Sequence, residues 1–139
     1  MSGQQISTSF PLRGFLGFDL ELTEPGHCVA HMTVSERHLN PHQVVHGGVL
    51  FSLVDTAMGG AVMSTLEAGH TCASIELHQR FLRPVASGRI SVDARVVHGG
   101  RQIVHLEARI SDARDRLLGS ATGSFRVLSG VAPAGPADA

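Results

Sequence analysis

The sequence predicts an α+β domain in which a curved, antiparallel sheet wraps one long helix. Three observations carry that prediction. Residues 49–66 hold an apolar stripe of helical period, whereas the flanking segments alternate apolar and polar residues with a period of two. Asp55 is the only charge between His46 and Glu67, so this helix is wrapped by the rest of the chain rather than solvated. The segments after it are separated by short polar turns, which favours antiparallel pairing.

The elements follow in order. Residues 1–10 lack the basic and apolar regions of a secretion signal, and no run approaches the roughly 18 apolar residues of a membrane span, so a cytoplasmic location is the expectation. Residues 10–18 carry Pro11, Leu12, Phe15, Leu16 and Phe18, a short helix or turn covering an open edge of the core. Residues 27–34 read as a strand with Cys28, Ala30, Met32 and Val34 on its dry face. In the helix, Gly59 and Gly60 each cost about 1 kcal/mol against Ala, which close approach of another backbone would offset. Strands are expected at residues 73–78, with Ala73, Ile75 and Leu77 inward, and at 89–97, 102–111 and 117–128. The pattern gives one or two strands before the helix and about four after it, joined as a meander. Residues 1–128 make a single domain, and residues 129–139, rich in Ala, Pro and Gly, a disordered tail.

Composition narrows the function. The chain has 139 residues, 42% of them hydrophobic, with a formal net charge of -1. That charge argues against nucleic acid as the main partner, since phosphate neutralisation needs clustered basic residues. All 11 basic residues are Arg, which suits contacts with ligand phosphates as well as a plain compositional bias. Cys28 and Cys72 read as buried, reduced thiols rather than a disulfide. His27 with His31, and His42 with His46, have helical ligand spacing but lie in strand and loop segments, and nothing completes a metal set.

Chemistry concentrates between residues 40 and 55. The run Asn40-Pro41-His42-Gln43-Val44-Val45-His46-Gly47-Gly48 is a tight loop leading into the helix. Backbone N–H groups at a helix start lack intrahelical partners, and the dipole adds positive charge there. A carbonyl oxygen at Gly47 or Gly48 would be polarised and its oxyanion stabilised. Asp55 lies two turns further on. A carboxylate on a mostly buried helix is costly unless it is hydrogen-bonded, which makes it a site residue or one satisfied by a neighbour such as Ser52. Ser52 itself lacks the Gly-x-Ser-x-Gly surroundings of a nucleophile.

These residues carry a resemblance. Asn40, then His46-Gly47-Gly48, then Asp55 nine residues after the His, resemble the signature of the PaaI-like branch of hotdog-fold thioesterases. Phe81-Leu82-Arg83-Pro84 resembles that family's strand end, and His98-Gly99-Gly100-Arg101 its Gly-basic turn. Many members have Gly where Gln43 stands. The resemblance spans residues 15–128 and implies a hotdog fold and hydrolysis of an acyl-CoA thioester, the acyl group being aryl or of medium length. It implies no cofactor, CoA being part of the substrate, and a homodimer or homotetramer with the thioester at the dimer interface. It gives the Gly47 N–H to the thioester oxygen, the role of nucleophile or general base to Asp55, and orienting roles to Asn40, His46 and Ser74. Gly48, Phe51, Met58 and Leu82 are expected near the acyl group, and Arg83 and Arg101 near the CoA phosphates. Two other functions share such a fold: an acyl-CoA or acyl-carrier dehydratase or hydratase, and a non-catalytic acyl-CoA binding module.

Overall fold

The computed structural model describes residues 9–130, and its first element follows from Pro11. Proline presets φ for a first helical turn, and helix α1 (Pro11–Leu16) ends at Gly17 in the left-handed conformation, φ 75°. The ring of Phe10 meets Phe18 edge-on at 6.1 Å, and Phe18 is buried at the start of strand β1 (Phe18–Glu24). The N-terminal segment therefore covers the core through Phe10 and Phe18, while Phe15 is 75% exposed.

Strand β2 (His27–Thr33) keeps the expected alternation, with Cys28, Ala30 and Met32 buried and both cysteines free. A 3₁₀ turn (Glu36–His38) and a loop lead to helix α2 (Gly47–Met63). Strands β3 (His70–Phe81), β4 (Arg89–Gly99), β5 (Ile103–Asp112) and β6 (Leu117–Ser129) follow. All neighbours are antiparallel in one six-stranded sheet of order β1-β2-β4-β5-β6-β3. The expected meander thus holds for β4-β5-β6 only. Strand β3 does not pair with β4, its successor. Residues 82–88 carry the chain across the end of the sheet, pinned where the Leu82 and Arg83 N–H groups donate to the Leu118 carbonyl. The disordered tail expected at residues 129–139 falls, from residue 131 on, outside the described residues.

Helix α2 packs on β2, β3 and β4. It begins two residues before the apolar stripe, because His46 caps it, and stops short of Leu66, where Ser64 donates to the Ala61 carbonyl and accepts the Gly26 N–H. Leu53, Val54, Met58 and Val62 are fully buried, and each contributes about 1.5–3 kcal/mol by leaving water. The close approach expected at Gly59 lies on the sheet instead. A Cβ on Gly123 would stand 2.8 Å from the Met58 sulfur, whereas one on Gly59 would stand an ordinary 3.7 Å from Phe125.

Strand β3 departs most from its sequence pattern. Its pairing with β6 skips Ile75, so that Ser74 faces Phe125 and Glu76 faces Ser124. This bulge shifts the alternation by one residue. Ile75 is consequently 53% exposed rather than on the dry face, while Leu77 packs against the core. Among the described residues both outer strands have a free edge, with different character. β1 presents Asp19, Glu21 and Glu24, charges that discourage further pairing. The exposed run of β3 is Ala73-Ser74-Ile75-Glu76, with Arg80 further on, and Phe81 and Leu82 are exposed at its end.

Candidate active site

The loop before α2 is a small hairpin. Its base is the bond from the His46 N–H to the His38 carbonyl (2.8 Å), followed by a bridge between Leu39 and Val45 and a bond from the Asn40 N–H to the Val44 carbonyl (2.7 Å). Asn40 Oδ1 accepts from the His42 and Val44 N–H groups at 2.8 and 3.3 Å. Its oxygen is therefore committed to the turn, and its Nδ2 is the end that can address a ligand. Gln43 closes the turn with φ 65°, the left-handed region where glycine is at ease, which explains physically why glycine suits this position.

His46 then caps the helix, its Nδ1 accepting the Gly48 N–H at 2.8 Å. Two consequences follow. The neutral ring carries its proton on Nε2. Of the two glycine N–H groups expected to meet a carbonyl, that of Gly48 is already taken. Among the described residues no acceptor reaches the Gly47 N–H. Gly47 lines an open groove of about 440 Å³ with Asn40, Val45, Leu50, Phe81 and Leu82, its mouth carrying Arg83. A Cβ on Gly47 would stand 3.0 Å from the Phe81 ring, so the glycine leaves the ring and any ligand room at the N–H.

Asp55 is half-buried, and Ser74 Oγ donates to its Oδ1 at 2.6 Å. The neighbouring hydroxyls are turned away from it. Ser52 donates to the Gly48 carbonyl and Thr56 to the Ser52 carbonyl, so the partner of Asp55 comes from β3 and not from Ser52. Cys72 stands nearby, and burial first, then the Asp55 charge, push its thiol up to about 11. A carboxylate with one oxygen held can act through the other as base or nucleophile, and a free helix-start N–H beside an apolar groove can polarise a carbonyl. The two lie eight residues apart on α2, about 12 Å along its axis at roughly 1.5 Å per residue.

The remaining expected residues are dispersed. Leu82 and Arg83 line the Gly47 groove. Phe51 is 40% exposed on α2. Met58 is in the core with its sulfur against Gly123, because its position on the helix faces the sheet, so it does not line the groove as expected. Arg101 lies elsewhere, in a second groove with His70, Gln102 and Arg126. His27 and His31 bond to Asp93 and Ser91 on β4. Among the described residues no group of three or more His, Cys, Asp or Glu is placed to hold a metal ion. The sequence did not single out Phe81, Val45 or Val85 as groove wall. Phe81 was within reach through its place in Phe81-Leu82-Arg83-Pro84, but Val45 and Val85 are joined only by the fold, the Val45 N–H donating to the Val85 carbonyl at 2.8 Å.

Comparison with known proteins gives the family and the fold. Residues 42–118 match the family model of the thioesterase superfamily. The acyl-coenzyme A thioesterase PaaI of Escherichia coli is 34% identical over 118 residues, 84% of this chain and 81% of that protein. The structure of the E. coli PaaI protein from the phenylacetic acid degradation operon superposes with a TM-score of 0.80 at 31% identity, covering 86% of each chain. A thioesterase structure from Haemophilus influenzae gives a TM-score of 0.86 over 95% of this chain and 97% of that one, and at 24% identity it speaks for the fold.

Proposed function

The chain belongs to the thioesterase superfamily as a PaaI-like hotdog thioester hydrolase, and on that premise we propose that it cleaves an aryl-acyl or medium-chain acyl-CoA to the free acid and CoA, with Asp55 as the reacting carboxylate. One observation carries the reading of the site. The free Gly47 N–H and the Ser74-held Asp55 are the two groups a thioester needs, yet they stand about 12 Å apart on one helix. A thioester carbon must lie roughly 3–3.5 Å from its attacking atom, so one chain does not bring both to one substrate.

A second copy does. Pairing of the open β3 edge with its twin about a two-fold near residues 77 and 78 would set one chain's Phe81 opposite the partner's Ser74. The Gly47 end of one α2 then faces the partner's Asp55. In this arrangement the thioester oxygen rests on the Gly47 N–H, Asn40 Nδ2 and His46 orient the thioester, and Asp55 attacks the carbonyl or takes a proton from a water that does. The C–S bond breaks, the thiolate leaves with a proton, and water supplies the oxygen of the acid. Leu82 and Phe51 flank the acyl group, Arg83 and Arg101 are available to CoA phosphates, and a dimer or a dimer of dimers is the working assembly, in the cytoplasm and without a cofactor.

The test is a panel of acyl-CoAs followed by release of free thiol, with Asp55→Asn alongside. Hydrolysis of an aryl or medium-chain member, lost by about 100-fold or more in the variant, is expected. Wild-type turnover in Asp55→Asn would refute the assignment. Tight binding without thiol release would favour a binding module, and hydration of an enoyl-CoA a hydratase.

A further inference from the structure

His38 stands outside every motif that points to the site, yet it is the most deeply buried imidazole among the described residues, at 1% exposure. Both ring nitrogens are engaged. Nδ1 accepts the Ser35 N–H at 3.0 Å, which leaves the proton on Nε2, and Nε2 donates to the Leu16 carbonyl at 2.7 Å. Leu16 is the last residue of α1, and its carbonyl also receives the Arg37 guanidinium at 3.3 Å. The main chain of His38 does a second task. Its carbonyl accepts the His46 N–H at 2.8 Å, and this bond closes the base of the hairpin that ends at Gly47. A buried side chain with both polar atoms satisfied has one orientation, and so fixes its own carbonyl.

We infer that His38 is a positioning residue for His46 and the Gly47 N–H: its ring ties the hairpin base to α1, and its carbonyl holds the residue that caps α2. The catalytic half of this inference rests on Gly47 as the donor to the thioester oxygen. The positional half does not. A donor that acts most strongly on the developing oxyanion loses turnover, rather than affinity, when it shifts by a fraction of an ångström.

The experiment compares wild type, His38→Leu, His38→Gln and Asp55→Asn by thiol-release kinetics and by hydrogen exchange at the His46 amide. His38→Leu is expected to lower kcat by about 10-fold with KM within about twofold, and to speed exchange at His46 relative to other amides of α2. His38→Gln, whose amide restores the donor to Leu16, is expected to recover most of both. In the wild type, the His38 Nε2 proton is expected to exchange slowly. A folded His38→Leu with unchanged kcat and unchanged His46 exchange overturns the inference. So does a fall in kcat with His46 exchange unchanged, or a wild-type ring proton that exchanges freely. If His38→Leu does not fold, His38→Asn, which keeps an acceptor for the Ser35 N–H but loses the bond to Leu16, replaces it, with His38→Gln still the rescue and the same outcomes deciding. Full turnover in Asp55→Asn would remove the proposed reaction, and the exchange data would still decide whether His38 holds His46.

Discussion

The hydrogen bond from Ser74 to Asp55 gives the sharpest test of the site. Ser74→Ala removes one hydroxyl on an edge strand and leaves the bulge, the helix and the groove intact. The bond is short, 2.6 Å, and its acceptor is a carboxylate. Hydrogen bonds to charged groups contribute about 1.5–3 kcal/mol where water is excluded. Ser74 is exposed in the single chain, so water can take its place there and the bond is reduced to the net worth of an ordinary hydrogen bond, about 1 kcal/mol. Closure of the site by a partner subunit would raise this to about 2 kcal/mol. The expected loss is therefore about 5- to 30-fold in kcat, with KM little changed. Thiol release from a hydrolysed acyl-CoA measures it, and Ser74→Thr, which keeps a hydroxyl, should recover the rate. The decisive comparison uses the background in which the carboxylate is already gone. If Ser74 acts through Asp55, then Ser74→Ala costs nothing further in Asp55→Asn. A wild-type rate in Ser74→Ala, or the same loss in both backgrounds, would refute the reasoning.

Three further predictions follow from other parts of the structure. Mixing inactive Asp55→Asn with inactive Gly47→Val, then allowing subunits to exchange, should restore about a quarter of wild-type activity, because half the dimers are mixed and each has one intact site of two; no recovery would place both groups in one chain. Gln43→Gly should raise Tm by about 2–5 °C in a thermal melt, since release of a left-handed non-glycine residue, about 1–2 kcal/mol, exceeds the entropy returned to the unfolded chain, about 0.4–1 kcal/mol, whereas Gln43→Val should lower it. Cys72, its thiol pushed up to about 11 by burial and then by Asp55, should be alkylated at pH 8 about 100-fold more slowly than an ordinary thiol, its rate rising as pH approaches that value. Asp55→Asn removes the repulsive charge and should speed alkylation of Cys72 relative to Cys28, whose thiol burial and then Glu21 hold at a similar height.

Much of this molecule is legible in its sequence because its signals are local. The stripe from Val49 to Val62 has one charge, and a helix of that composition can only be wrapped. The order Asn40, His46-Gly47-Gly48, Asp55 places a capped helix start and a carboxylate two turns on, since capping and rise per residue depend on near neighbours alone. Where the reading failed, a distant partner decided. Period two put Ile75 inward, but β6 skips it in the ladder, and a bulge is a property of two strands. Met58 sits on the helix like a pocket residue, yet Gly123 opens the sheet beneath it. Short turns implied a continuous meander, but they fix only that strands are antiparallel, not which edge β3 joins.

The sequence by itself thus determined the helix, the hydrophobic faces of β2, β4 and β5, and the residues here proposed to react. Only the tertiary structure decided that His46 engages the Gly48 N–H, that Ser74 rather than Ser52 holds Asp55, and that β3 is left with an open edge among the described residues. The division has one physical cause. Periodicity and capping are set within about one turn of helix or a few residues of strand, whereas each of those three outcomes is a choice among hydrogen-bond partners that only folding brings within reach.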